Sequence, residues 1–144
     1  MTRIFGILIT VIFLSVGQTA SAQDSELLKR AQQGDASAQN NLGTAYKNGE
    51  GVIQDYAEAV RWYRLAAEQG HAAAQSRLGV AFYRGEGTLK DLVSSYMWFN
   101  IAASLGVVSS GIARDSIAEL MTLEQIAEAQ KLSRECVRKE YKDC

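Results

Sequence analysis

The stretch AQQGDASAQNNLGTAYKNGEGVIQDYAEAVRWYRLA, residues 31–66, is followed at once by AEQGHAAAQSRLGVAFYRGEGTLKDLVSSYMWFNIA, residues 67–102. Set in register, the two share Ala31/Ala67, Gln33/Gln69, Gly34/Gly70, Ala38/Ala74, Gln39/Gln75, Leu42/Leu78, Gly43/Gly79, Gly49/Gly85, Gly51/Gly87, Asp55/Asp91, Trp62/Trp98 and Ala66/Ala102. Aromatic character is kept at Tyr46/Phe82 and Tyr63/Phe99. A fixed self-similar period of this size marks an array in which one supersecondary unit cannot bury its apolar face alone and stacks on a copy of itself.

Each copy divides into two helices. The first is expected over residues 36–47 and 72–83, and ends on Asn48-Gly49-Glu50-Gly51 or Arg84-Gly85-Glu86-Gly87. A Gly-x-Gly pair can cradle a phosphate, but here no strand precedes it, no helix opens on it, and a glutamate sits between the glycines. It reads as a helix C-cap and turn. Asp55 and Asp91 then serve as N-caps of second helices over residues 56–69 and 92–104. Ala59, Trp62, Tyr63 and Ala66 fall at i, i+3, i+4 and i+7, as do Ser95, Trp98, Phe99 and Ala102, which makes one apolar stripe per copy. Gly43 and Gly79 sit inside the first helices, where glycine costs about 1 kcal/mol relative to alanine. Their recurrence points to close helix approach.

The flanks are less regular. Asp24 and Ser25 offer capping oxygens for a helix running to Gly34, the back half of a repeat. Beyond Gly106 the register decays: residues 107–121 suit a helix, Thr122 with Gln125 forms a capping box, and residues 123–140 suit a charged final helix. Terminal units of repeat arrays are atypical because their outer face meets water.

Residues 1–22 have a basic start at Arg3, an apolar run over residues 4–16 and Ala20-Ser21-Ala22, the anatomy of a secretory signal peptide cleaved after Ala22. The run spans about 20 Å at 1.5 Å per residue, short of a hydrocarbon core, so no stable membrane insertion is expected after cleavage. The mature chain, residues 23–144, carries two more acidic than basic side chains, without a run of either sign. That is no footprint of a nucleic-acid binder. An oxidising compartment favours a Cys136–Cys144 disulfide over a metal site or catalytic thiol. In an unbroken helix the two would stand about 12 Å apart, beyond disulfide reach, so the helix must end near Glu140 and residues 141–144 must fold back.

The pattern Ala-x-x-Gly-x-Ala-x-Ala-Gln-x-x-Leu-Gly-x-Ala-Tyr/Phe, then Gly-Glu-Gly, Asp and an aromatic pair, closely resembles the Sel-1-like repeat, a relative of the tetratricopeptide repeat. The resemblance is strong over residues 31–106 and weak over the degenerate third unit, residues 103–144. It implies an all-α, right-handed α/α solenoid of antiparallel helix pairs: about two full repeats, a flanking half-repeat and a C-terminal capping pair. It also implies a protein-binding scaffold or adaptor, here in the periplasm or secreted. The Cys-x7-Cys spacing resembles the cysteine-rich Sel-1-like proteins, some described as penicillin-binding or β-lactamase-like, which keeps a cell-wall enzyme in view as the alternative.

Catalysis itself finds little support. His71 is the only histidine and takes the inter-helix place that Asp35 holds in the other copy, so it reads as an exposed turn residue. No zinc or Ser-His-Asp set forms around it, and neither cofactor nor metal is expected. For partner binding, winding the first helices at 100° per residue puts the positions shared by both copies on one arc, the stacking face. The opposite arc holds Ser37, Asn40, Asn41, Thr44, Lys47 and Asn48 in the first copy, and Ala73, Ser76, Arg77, Val80, Tyr83 and Arg84 in the second. By resemblance this arc lines the concave side where a protein or peptide lies. Val80, Tyr83 and the two arginines combine apolar and charged groups of the kind enriched at hot spots.

Overall fold

The structure of the protein is a computed structural model that describes residues 22–144. The leader expected over residues 1–22 falls, except for its last residue, outside that part. The described residues form seven helices and no strand: α1 (Ala22–Gln32), α2 (Ala36–Asn48), α3 (Tyr56–Ala67), α4 (Ala72–Arg84), α5 (Leu92–Ser104), α6 (Val108–Ala118) and α7 (Leu123–Arg138). They build an α/α solenoid in which α2, α4 and α6 are first helices and α3, α5 and α7 second helices. The lone α1 plays the part of a second helix. Its described part runs from Ala22, so Asp24 lies within the helix rather than capping it.

The caps are local and repeat. Asp55 accepts from the N–H groups of Ala57 and Glu58, and Asp91 from that of Val93. Gly49 and Gly85 close α2 and α4 with φ of 73° and 70°. Asp35 caps α2 through Ala38 N–H, and that bond, with the Arg30 guanidinium alongside, holds its carboxyl below the ordinary value. His71 does the same for α4: its Nδ1 accepts from Ala74 N–H at 3.3 Å, which requires the lone pair on that nitrogen. It is half-buried, so the expectation of an exposed turn residue needs correcting. Its turn position holds, but the imidazole is a capping group.

Within the pairs α2/α3 and α4/α5 the helices meet where glycine removes a side chain. A Cβ at Gly43 would stand 2.7 Å from the Tyr63 ring, and one at Gly79 would stand 2.9 Å from the Phe99 ring. Ser95 strengthens the second contact by donating to the Gly79 carbonyl at 2.7 Å. Successive repeats are joined by the shared glutamine. Gln39 Nε2 donates to the Ala31 carbonyl and Gln75 Nε2 to the Ala67 carbonyl, at 3.1 and 3.2 Å, so each first helix ties down the end of the second helix before it. The main core gathers Tyr63, Ala66 and Ala67 of α3, Leu78 and Ala81 of α4, and Met97, Trp98 and Ile101 of α5.

The third helix pair is built differently. Helix α7 packs along α5 rather than along α6, with the buried Ser133 hydroxyl 3.5 Å from the Met97 carbonyl while it donates to the Ala129 carbonyl in its own helix at 2.8 Å. The reason lies in α6: thirty-six residues after Leu78 and Gly79 the chain has Arg114 and Asp115. A charged pair there replaces the leucine and glycine that admit the aromatic ring in the two good repeats.

Helix α7 stops at Arg138, and the chain turns back through Glu140, Tyr141 and Asp143 at φ of 52°, 66° and 50°. Tyr141 N–H donates to the Cys136 carbonyl at 2.9 Å, and Cys136 and Cys144 are disulfide-bonded with their Cα atoms 5.4 Å apart. Non-glycine residues in the left-handed region cost about 1–2 kcal/mol each. Closing so short a loop removes about 2–3 kcal/mol of chain entropy from the unfolded state, enough to offset much of that cost. The folded-back Tyr141 ring lies over Gly70, in the turn between α3 and α4, so the tail seals the core a full repeat upstream.

Candidate protein-binding surface

The arc expected to face a partner is only partly free. Asn40 is buried, at 6% exposure, and its Oδ1 accepts from Arg77 Nη1 at 2.9 Å. The Arg77 guanidinium also lies over the Tyr63 ring, 5.8 Å from its centre. Arg77 is therefore a clamp between α2 and α4 rather than a free surface charge. Ser76 accepts a hydrogen bond from Ser110 of α6 at 2.9 Å, and Val80 packs against the cluster of Tyr96, Phe99 and Ile117. The correction has a physical cause. One helical wheel assigns all packing to one face, whereas a first helix in a stack also has first helices on either side, and those lateral contacts fall on the arc that differs between copies.

What remains accessible is more restricted. Asn41 is exposed, accepting only from its neighbour Asn40, and Ala73 is half-buried at the start of α4. Thr44 is half-buried, and its hydroxyl donates to the Asn40 carbonyl and accepts from Tyr63 at 3.3 Å. Burial pushes the Tyr63 phenol above its ordinary value, opposed by that bond and by Arg77. Tyr83 is 38% exposed with the Lys90 ammonium 5.5 Å from its ring centre, and Arg84 lies 3.6 Å from Glu86.

Two clefts cross this surface and meet at Val80. One, between α2, α3 and α4, is lined by Lys47, Tyr56, Val60, Tyr63 and Arg77; the other, between α4 and α6, by Tyr83, Arg84, Phe99, Ile117 and Leu120. Single-helix reasoning missed Tyr56 and Leu120, because they reach the clefts from other elements. Their only sequence signal is an apolar residue beside a turn.

Residues 36–71 and 72–107 each match the Sel1 repeat. The chain belongs to the Sel1 repeat family. The 36-residue period is that of the internal alignment, cut at the start of the first helix. Among solved structures, this Sel1 repeat protein is similar to a protective antigen present in uropathogenic Escherichia coli strains and displaying an SLR fold. The TM-score is 0.79 at 35% identity, over 83% of this chain and 26% of the antigen. It is also similar to a Sel1 repeat protein from Oxalobacter formigenes, with a TM-score of 0.57 at 39% identity over 57% of this chain and 63% of the other. The chain thus spans about a quarter of the first relative and under two thirds of the second. No curated protein matches it.

Sel1 repeats are in general protein–protein interaction modules and non-catalytic scaffolds. Among the described residues, no helix is long and apolar enough to cross a membrane, and no group of three His, Cys, Asp or Glu is placed to hold a metal ion. Both cysteines are committed to the disulfide.

Proposed function

We propose that this Sel1 repeat protein acts outside the cytoplasm as a scaffold or adaptor that holds a protein or peptide across α2, α4 and α6. The observation that carries the reading is the meeting of two clefts at Val80, rimmed by Lys47 on one side and by Tyr83 and Arg84 on the other. An apolar floor beside an aromatic and an arginine has the makeup of an interface hot spot. A photo-crosslinking residue in place of Tyr83 is expected to capture a partner in envelope extracts, whereas one in place of Arg61, on α3, is not. Tyr83→Ala combined with Arg84→Ala should cut that capture, followed from the first cleft at Lys47, at least about tenfold with an unchanged circular dichroism spectrum. Full capture by the double variant would move the binding surface elsewhere. Arg77 stays unchanged in this test, because its loss would leave the buried Asn40 oxygen unpaired and disturb the fold.

Export rests on the zoned leader and on the disulfide, which persists in an oxidising compartment. Protein recovered from the envelope should begin at Gln23 by mass and titrate no free thiol. Retention of Met1 or Thr2, or two titrating thiols, would overturn export.

A further inference from the structure

The divergence of α7 from α6 leaves a wedge-shaped groove that the two good repeats do not have. The two helices share a cluster at one end, through Ile117 of α6, Met121 in the turn after it, and Ile126 and Ala129 of α7. At the other end they part over the C-terminal half of α5. The opening is a cavity of about 580 Å³ lined by Asn100, Ile101, Ser104, Ser133, Arg134, Val137 and Arg138. A second cavity of about 350 Å³ shares Asn100 and Ser104 with it and continues along Val107, Val108, Gly111 and Arg114.

Every charged side chain lining this groove is an arginine. Arg114 is held in place, donating to Asn100 Oδ1 at 3.1 Å and to Asp115 at 2.8 Å. Arg138 stands 4.0 Å from Glu135, and Arg134 has no hydrogen-bond or ion-pair partner among the described residues. Between these cations the buried Ile101 forms an apolar base, with Val107, Val108 and Val137 around it beside the polar Asn100, Ser104 and Ser133. Guanidinium groups present fixed forks of donors that match carboxylates, and an apolar floor between them matches aliphatic side chains.

We infer that the α5–α6–α7 wedge is a second docking site, separate from the surface at Val80, for an acidic peptide segment whose carboxylates flank an apolar side chain. The occupant fills the place that packing between first and second helix fills in the other repeats. The combined cavity lies in the size range of ligand sites.

The test uses the mature protein and fluorescent twelve-residue peptides of alternating leucine and aspartate, with asparagine or lysine in place of aspartate as controls. The aspartate peptide is expected to bind at least about tenfold more tightly than either control and to weaken several-fold as salt rises from about 50 to about 300 mM. Arg134→Glu, at an exposed position without a hydrogen-bond or ion-pair partner among the described residues, should weaken it about tenfold, and Arg134→Lys should retain most of the affinity. The Tyr83 and Arg84 double variant should bind as the parent does, which separates this site from the first. No binding at about 1 mM, equal binding of the asparagine peptide, or an undiminished affinity in Arg134→Glu would overturn the assignment. Concentration-dependent dimerisation abolished by Arg134→Glu would give the wedge to a second copy instead, and equally overturn it.

Discussion

Gly79→Leu is expected to lower the unfolding free energy by more than about 2 kcal/mol, the cost of forcing methylenes into a packed interface. The added Cβ alone would stand 2.9 Å from the Phe99 ring, and Phe99, at 4% exposure, sits among Tyr96, Ile117 and Ala129 with no room to swing. Opening the α4/α5 pair would also draw the buried Ser95 hydroxyl away from the Gly79 carbonyl. Replacing glycine by leucine inside a helix returns somewhat under 1 kcal/mol of propensity, too little to compensate. Thermal unfolding reads the result directly, since each kcal/mol moves the midpoint by about 4 °C in a domain of this size. A midpoint within about 1 °C of the parent would remove the close-approach explanation.

Gly87→Ala is expected to be the most damaging single methyl addition, and the other repeat supplies its control. Gly51 and Gly87 occupy the same place in the two Gly-Glu-Gly turns, with φ of 71° and 72°, so left-handed strain of about 1–2 kcal/mol is common to both alanine variants. Their surroundings differ. A Cβ at Gly51 would meet the carboxylate of Asp24, the movable end of a side chain, at 2.9 Å. One at Gly87 would run into the backbone carbonyl of Tyr56, at the start of α3. Backbone at a capped helix start cannot give way without losing the Asp55 cap. Gly87→Ala should therefore destabilise by more than about 3 kcal/mol and exceed Gly51→Ala by at least about 1 kcal/mol, measured by urea unfolding of the two variants side by side. Equal costs would show that the turn merely needs a positive φ and does not lean on the preceding repeat.

The periodic features were legible because they are local or repeated. Helix type, the Asp55 and Asp91 caps, the Thr122–Gln125 capping box and the C-caps at Gly49 and Gly85 each depend on a few neighbouring residues. Solenoid stacking followed from two copies keeping the same glycine, alanine and aromatic places. The role of His71 was half legible: its turn position could be read from the register, but its capping bond depends on which ring nitrogen the fold aims at Ala74.

The binding surface was the less legible part, and Arg77 shows why. In sequence it is a charge at a position that varies between copies, which marks solvent or partner with equal force. In the fold its guanidinium reaches Asn40, thirty-seven positions earlier, because α2 and α4 lie side by side. Ser76 and Val80 are likewise taken by α6, an element whose register had already decayed.

The sequence by itself determined the repeat, its two-helix unit, the glycine contacts and the fold-back that the Cys136–Cys144 spacing demands, since all of these follow from short-range geometry and from a pattern written twice. Only the tertiary structure decided which outer residues are free, that α7 follows α5 instead of α6, and that three arginines line one groove. Those outcomes depend on how helices far apart in the chain compete for the same apolar surface. With Arg114 and Asp115 where leucine and glycine stood, α6 could not offer the surface that α5 did.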